Sequence, residues 1–217
     1  MIDVKKLHEA KRDYKYLLNR GYNRSSALNL VCSRYRLNKT EKNLLFRAVH
    51  PKDEVERVRE KTVKPEGVRG KLVAVDGYNQ LITVEAGLKG DVLVLCDDGF
   101  IRDVEGVYGK YKVSVLTGKS VRLLAETLKE LGAREVVFLL DKRVSRSGEL
   151  AAMIRGFLNE LGVKGTALTV DRADVATWSL GEVVASSDSV ILNRARTVFD
   201  LAGFVVTRRL GVRPIFL

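Results

Sequence analysis

The 217 residues are 46% hydrophobic and 7% aromatic, enough apolar material for a packed globular protein and too much for a disordered one. With 38 Lys+Arg against 27 Asp+Glu the formal charge is +11, which points to an anionic partner. No apolar run nears the ~18 residues of a membrane span, and the opening MIDVKKLHEAKRDYKYLL lacks the apolar stretch of a secretory signal. Two cysteines, Cys32 and Cys96, are too few for a disulfide framework or a Cys-based zinc site. A reducing, cytoplasmic setting with no membrane partner is the expectation.

Residues 3–20 read as an amphipathic helix with Val4, Leu7, Tyr14, Leu17 and Leu18 near one stripe. Gly21 suits the position just past its end. Ser25 or Ser26 is expected to cap a second helix running to about Tyr35. Asn38 or Thr40 caps a third, from about Glu41 to Val49, and residues 52–60 suit a short charged helix. Residues 61–70, KTVKPEGVRG, read as a linker. Beyond it, apolar strands alternate with helices. The strands are Lys71–Val75, Asp91–Leu95, Glu135–Leu140, Thr166–Val170, Val183–Ala185 and Phe204–Val206. The helices fall at about 119–131, 148–161 and 189–201. This pattern predicts an α/β fold at 71–217, a mainly parallel sheet flanked by helices in three layers, behind a small all-α basic domain at 1–60. Residues 91–113 read as a hairpin-like insertion whose Asp97, Asp98, Arg102 and Asp103 lie over the site or form a plain charged hairpin.

The charge is uneven. Residues 1–70 hold 18 Lys+Arg and 9 Asp+Glu, a net of +9, so one third of the chain carries most of the excess. A basic helical module beside a near-neutral one suggests nucleic-acid contact, with Arg34, Arg36, Lys39 and Lys42 as candidate phosphate contacts. The plain alternative is a solvated helical surface.

Acidic residues gather at strand ends. Asp76 follows LVAV, Asp141 follows VVFLL, Asp171 follows TALTV with Asp174 just after it, and Asp188 follows VVASS. In an open α/β sheet the carboxyl ends of parallel strands share one edge, where ligands bind. Crowded carboxylates repel one another unless a cation sits among them. Mg²⁺ or Mn²⁺, which prefer oxygen donors, suit that role and can activate water beside a phosphate. For any one Asp a helix cap or turn is the commoner role, but so many strands ending in Asp exceed what capping requires. Asn79 stands one helical turn beyond Asp76 and could orient it or a metal-bound water. In DKRVSRSGE, Lys142, Arg143 and Arg146 precede a helix start and could hold a phosphate backbone, or form a solvated turn capped by Ser147.

With these residues in place, 72–206 resembles the PIN-like nuclease superfamily, especially its NYN branch. LVAVDGYNQLI is similar to the first-strand D-x-x-N motif, VDRADVATWSL to the central acidic segment, and VVASSDSVIL to the closing S-x-D motif, with Gly203 before the last strand. The whole chain also resembles an archaeal-type family of uncharacterised proteins that joins a small helical domain to such a domain. The resemblance implies a divalent-metal-dependent ribonuclease. Asp76 and Asp188 would be metal ligands, Asp171 or Asp174 the central acid, Asn79 a helper, and Asp141 the candidate for the second acidic position. The other reading is a PIN-like nucleic-acid-binding protein without catalysis. A small-molecule phosphatase explains the acids but leaves the basic module idle. A homodimer is compatible with the sequence.

His8 and His50 stand far along the chain from the acids and suit surface or packing roles. The absence of G-x-S-x-G, G-x-x-x-x-G-K-[ST] and G-x-G-x-x-G argues against an esterase elbow and against those nucleotide-binding loops.

Overall fold

A computed structural model describes residues 4–104 and 111–217. The insertion glycines Gly106 and Gly109 therefore lie outside the described residues. The helical part comprises α1 Val4–Asn19, α2 Arg24–Tyr35, α3 Lys39–Ala48 and α4 Lys52–Lys61. Asn23 caps α2 in place of the expected serines, because its side chain accepts from the N–H groups of Ser25 and Ser26. Asn38 caps α3 in a reciprocal box with Glu41, as the N-x-x-E spacing allows.

The α/β part runs β1 Leu72–Asp76, α5 Gly77–Lys89, β2 Leu93–Leu95 and β3 Ile101–Asp103. It continues with α6 Val115–Glu130, β4 Glu135–Asp141, α7 Ser147–Glu160, β5 Gly165–Val170 and α8 Ala173–Leu180. It closes with β6 Val183–Ala185, α9 Ser189–Arg194, β7 Val198–Phe199, α10 Leu201–Phe204 and β8 Ile215–Phe216. Among the described residues, five strands make one parallel sheet in the order β5-β4-β1-β6-β7. Alternate residues serve opposite faces, as a strand requires. Val73, Val75, Val136, Phe138, Leu140, Val183 and Ala185 enter one core with α5, α6 and α7. Val184 faces the other way, into a cluster with Val58 of α4 and Ile191 and Leu192 of α9. Trp178 of α8 packs half-buried against that second cluster. Helices thus cover both faces, as the long apolar strands predict.

Three expectations need correction. Residues 204–206 are not a strand. The chain is helical from Leu201 and passes into a wider turn, in which Leu210 N–H bonds Val205 O. Val205 and Val206 are β-branched, but both belong to the main core, and packing overrides their local preference. Gly203 therefore follows the last strand of the large sheet instead of preceding it. The helix expected at 189–201 stops at Arg194, since the chain turns there to pair β7 with β6. Residues 61–70 are not a free linker. Val63 N–H bonds Val198 O beside β7, and Val68 is fully buried.

The insertion forms a second sheet with the end of the chain, in the order β3-β2-β8. It lies between the two cores. Leu93 and Ile101 face the α/β core, while Val94, Cys96, Val104 and Leu217 complete the core of α1–α3. Cys96 is buried and Cys32 half-buried, both as free thiols.

Candidate active site

β1 pairs with β4 on one side and β6 on the other. From β1 the chain builds outward through β4 and β5, then crosses back to build β6 and β7 on the opposite side. The order reverses between β1 and β6. Loops leaving the carboxyl ends diverge at such a point and open a crevice. Asp76 ends β1 there, and Ser186, Ser187 and Asp188 follow β6.

Local geometry demands Gly77. A Cβ at this position would lie 2.5 Å from Leu140 Cδ2 and 3.1 Å from the Leu139 carbonyl oxygen. The glycine lets α5 start directly beside β4, with Asp76 at the turn. Gly77→Ala should lower stability by about 1–3 kcal/mol, the usual cost of overpacking. Thermal unfolding checks this, and an unchanged melting point would show that the close approach relaxes freely.

One hydroxyl joins the two acids. Ser186 Oγ donates to Asp76 Oδ2 at 2.8 Å and accepts from the Asp188 N–H at 3.0 Å. Asp76 is only 8% exposed, whereas Asp174 and Asp188 are exposed at the rim. Burial pushes the Asp76 carboxyl up to about 7. The Ser186 hydrogen bond opposes the rise, and the negative charges of Asp188 and Asp174 add to it. Asp188 is also a helix cap, as the plain alternative held. Its Oδ1 accepts from Val190 N–H at 2.8 Å and Ile191 N–H at 3.2 Å. Asp174 sits in the first turn of α8 without serving as its cap.

Asn79 is present at this edge but turns toward β6. Its Oδ1 accepts from Ser187 N–H at 2.9 Å, Ser187 Oγ–H at 3.0 Å and Gln80 Nε2–H at 2.9 Å. It fixes the loop that carries Asp188.

Asp141 and Asp171 are each engaged by a neighbouring cation. Asp141 ends β4, the neighbour of β1, and is buried at 6% exposure. Its carboxylate is occupied by Arg143, with Nη2 at 2.7 Å and the backbone N–H at 2.9 Å. Those bonds hold its pKa below the ordinary carboxylate range. Asp171 is exposed and ion-paired to Lys142 at 2.5 Å. Arg146 pairs with Glu149 at 2.6 Å. Each cation of the 142–146 loop therefore already has a carboxylate beside it. Arg146, not Ser147, occupies the cap position of α7, with a left-handed φ of 63°. On the helical module, Arg34 lies 3.5 Å from Asp13, and Lys42 donates to Asn29 Oδ1 at 3.0 Å. Arg36 ends α2 in the left-handed region, and Lys39 begins α3.

The S-x-D motif of the sequence includes Ser186, but it assigns no role to Ser186 or Ser187, which the structure supplies. Arg102, from the insertion, is 4% exposed and donates from Nε to the Ser187 carbonyl at 2.7 Å. It forms a double bond pair with Asp98, Nη1–Oδ1 at 2.9 Å and Nη2–Oδ2 at 2.6 Å. The insertion is therefore no plain surface hairpin, because Asp98 and Arg102 are buried and Arg102 reaches the loop after β6. His50 lies 3.7 Å from Asp98. Burial, and then Arg102, lower its pKa to about 3, so it is neutral.

Among the described residues, no three His, Cys, Asp or Glu side chains are grouped to hold a metal ion. The Asp76–Asp188 edge offers hard oxygen donors. That donor chemistry fits a hydrated Mg²⁺ or Mn²⁺ bound by one or two carboxylates.

The fold and this edge define an α/β protein with carboxylates at the switch point and a basic helical module in front. The chain belongs to the family described as a domain of unknown function, DUF5616, whose profile matches residues 65–204. A second profile, the protein of unknown function DUF434, matches residues 6–61. The chain is 41% identical to the uncharacterized protein MJ0935 of Methanocaldococcus jannaschii, over 90% of this chain and 94% of that protein. No solved structure matches the chain. No helix among the described residues is long and apolar enough to cross a membrane.

Proposed function

We propose that the protein is a divalent-metal-dependent nuclease of PIN-like, NYN type, acting on RNA. The observation that carries this reading is Asp76. A carboxyl buried at the switch point of the sheet, raised to about 7 with two further carboxylates acting on it, is costly for a purely structural role. Asp76 and Asp188 would hold Mg²⁺ or Mn²⁺, with Asp174 as the central acid at the rim. When bound, the dication would activate water and offset charge on the phosphate. Ser186 orients Asp76, and Asn79 with Arg102 fixes the Ser187 loop. The basic module supplies phosphate contacts. The test is cleavage of labelled RNA by the full chain with Mn²⁺, against the same chain in EDTA. Cleavage is expected only with the metal, and intact RNA in both would reject the reading.

Binding of the metal requires the Asp76 proton to leave. Mn²⁺ affinity should therefore rise with pH up to about 7 and level off above it. Calorimetry in two buffers of different ionisation enthalpy should show proton release below pH 7. Affinity independent of pH from 5 to 8 would take Asp76 out of the metal site.

One observation favours the second reading, a nucleic-acid-binding protein without catalysis. Asp141, the candidate second acid, is engaged by Arg143 and is not free to join Asp76. Failure to bind Mn²⁺ at millimolar concentration, with RNA affinity intact, would select it.

A further inference from the structure

We propose that the outer face of α1 is a track for single-stranded RNA. The inference deepens the reading above and rests on it only in taking nucleic acid as the partner. His8, Lys11, Arg12, Lys15, Tyr16 and Asn19 line an open groove of about 470 Å³. Their spacing of three and four residues places them on one helical stripe, roughly 16 Å long at 1.5 Å per residue. No carboxylate is among the lining residues.

Two of the cations are fixed in place. Lys15 Nζ is held by Asp97 Oδ2 at 2.6 Å, and Lys11 Nζ donates to the Leu217 carbonyl. Arg12 is exposed. Aromatic rings accompany the charge. Phe216 is 71% exposed with Lys11 Nζ 5.0 Å from its ring centre, and Tyr16 is 58% exposed with Arg20 stacked at 5.3 Å. Positive charge that follows a backbone, together with open ring faces for bases, is the arrangement that binds single strands without sequence preference. A duplex keeps its bases stacked inside and gains nothing from those rings.

A chain of largely buried contacts links the groove to the loop after β6. Asp97, which holds Lys15, adjoins Asp98, which holds Arg102, and Arg102 reaches the Ser187 carbonyl. The α1 groove is separate from the Arg34, Arg36, Lys39 and Lys42 patch, none of whose residues lines it.

The test is fluorescence anisotropy of the full chain with a labelled oligouridylate in EDTA, over a range of salt. Arg12→Ala combined with Tyr16→Ala changes only exposed side chains and should weaken binding at least about 10-fold. The salt slope should fall by roughly 0.7, the share of a single phosphate on a single strand. Tyr16→Phe should retain affinity, since the ring remains. Lys164→Ala, at the opposite edge of the sheet beside Glu135, serves as the control for loss of a charge and should bind as wild type. Unchanged binding by the Arg12/Tyr16 variant overturns the track, as does a larger loss from an Arg34/Lys42 variant. A duplex that binds better than the single strand, or polyglutamate that competes as well as polyuridylate, overturns it too. Because binding is read without metal, the two proposals fail separately. Binding through α1 with no cleavage in Mn²⁺ rejects the nuclease alone. Metal-dependent cleavage at wild-type KM by the Arg12/Tyr16 variant rejects the track alone.

Discussion

Asp76→Asn is expected to lower metal-dependent RNA cleavage by about 100- to 1,000-fold, the scale of losing one preorganised electrostatic group. RNA binding in EDTA should stay near wild type, because Asp76 is buried at the end of β1 and not on the basic module. The fold should survive as well. An Asn side-chain oxygen can still accept the Ser186 hydroxyl that now bonds Asp76 at 2.8 Å. The pH dependence of stability provides a second readout with its sign fixed. The Asp76 carboxyl rises from 3.8 to about 7 on folding, so its contribution is fully present below pH 3.8 and lost as pH climbs through about 7. The Asn variant lacks that loss and should exceed wild type above pH 7, by roughly 1–4 kcal/mol. Cleavage by Asp76→Asn at the wild-type rate would remove the catalytic assignment. A variant no more stable than wild type at pH 8 would show that the carboxyl is not strained in the way described.

Arg102→Met is expected to destabilise the protein strongly. It leaves Asp98, 3% exposed, as a buried carboxylate stripped of the two guanidinium bonds that hold it. Breaking a buried pair from one side costs about 3–5 kcal/mol. For a chain of this size that is a fall in melting temperature of roughly 6–20 °C. The double change Asp98→Leu with Arg102→Met removes both charges and should recover most of the loss. Arg102→Lys should not rescue, since one ammonium cannot reproduce the two bonds to Asp98 and the one to Ser187. If Arg102→Met melts within a few degrees of wild type, the buried pair is not what joins the insertion to the sheet.

The acid edge was legible because its signal is local. An apolar run closed by Asp marks a buried parallel strand and its carboxyl end, and the runs before Asp76, Asp141 and Asp188 read correctly. What the run does not encode is which acids meet. Asp141 follows the same pattern as Asp76, yet Arg143 two residues on takes its carboxylate. The second sheet carried little local signal. Its strands have two or three residues, and Val94 pairs with Ile215 from the far end of the chain. The burial of Arg102 was hidden because arginine is seldom buried, and the Asp98 pairing that permits burial needs the hairpin to be formed first. α6 begins at Val115, ahead of the expected 119, because Ser114 caps it with Thr117 as the reciprocal partner in place of the usual Glu.

That second sheet has a consequence for how the protein is made. α1–α3 are translated ahead of β2, β3 and β8, yet their core is closed by Val94, Cys96, Val104 and Leu217. That core is complete only once Leu217 has been translated. A helical bundle of this size would ordinarily fold as it emerges. Here its completion is tied to synthesis of the part that bears the acids, so a product cut short during translation would leave the basic helices unfinished.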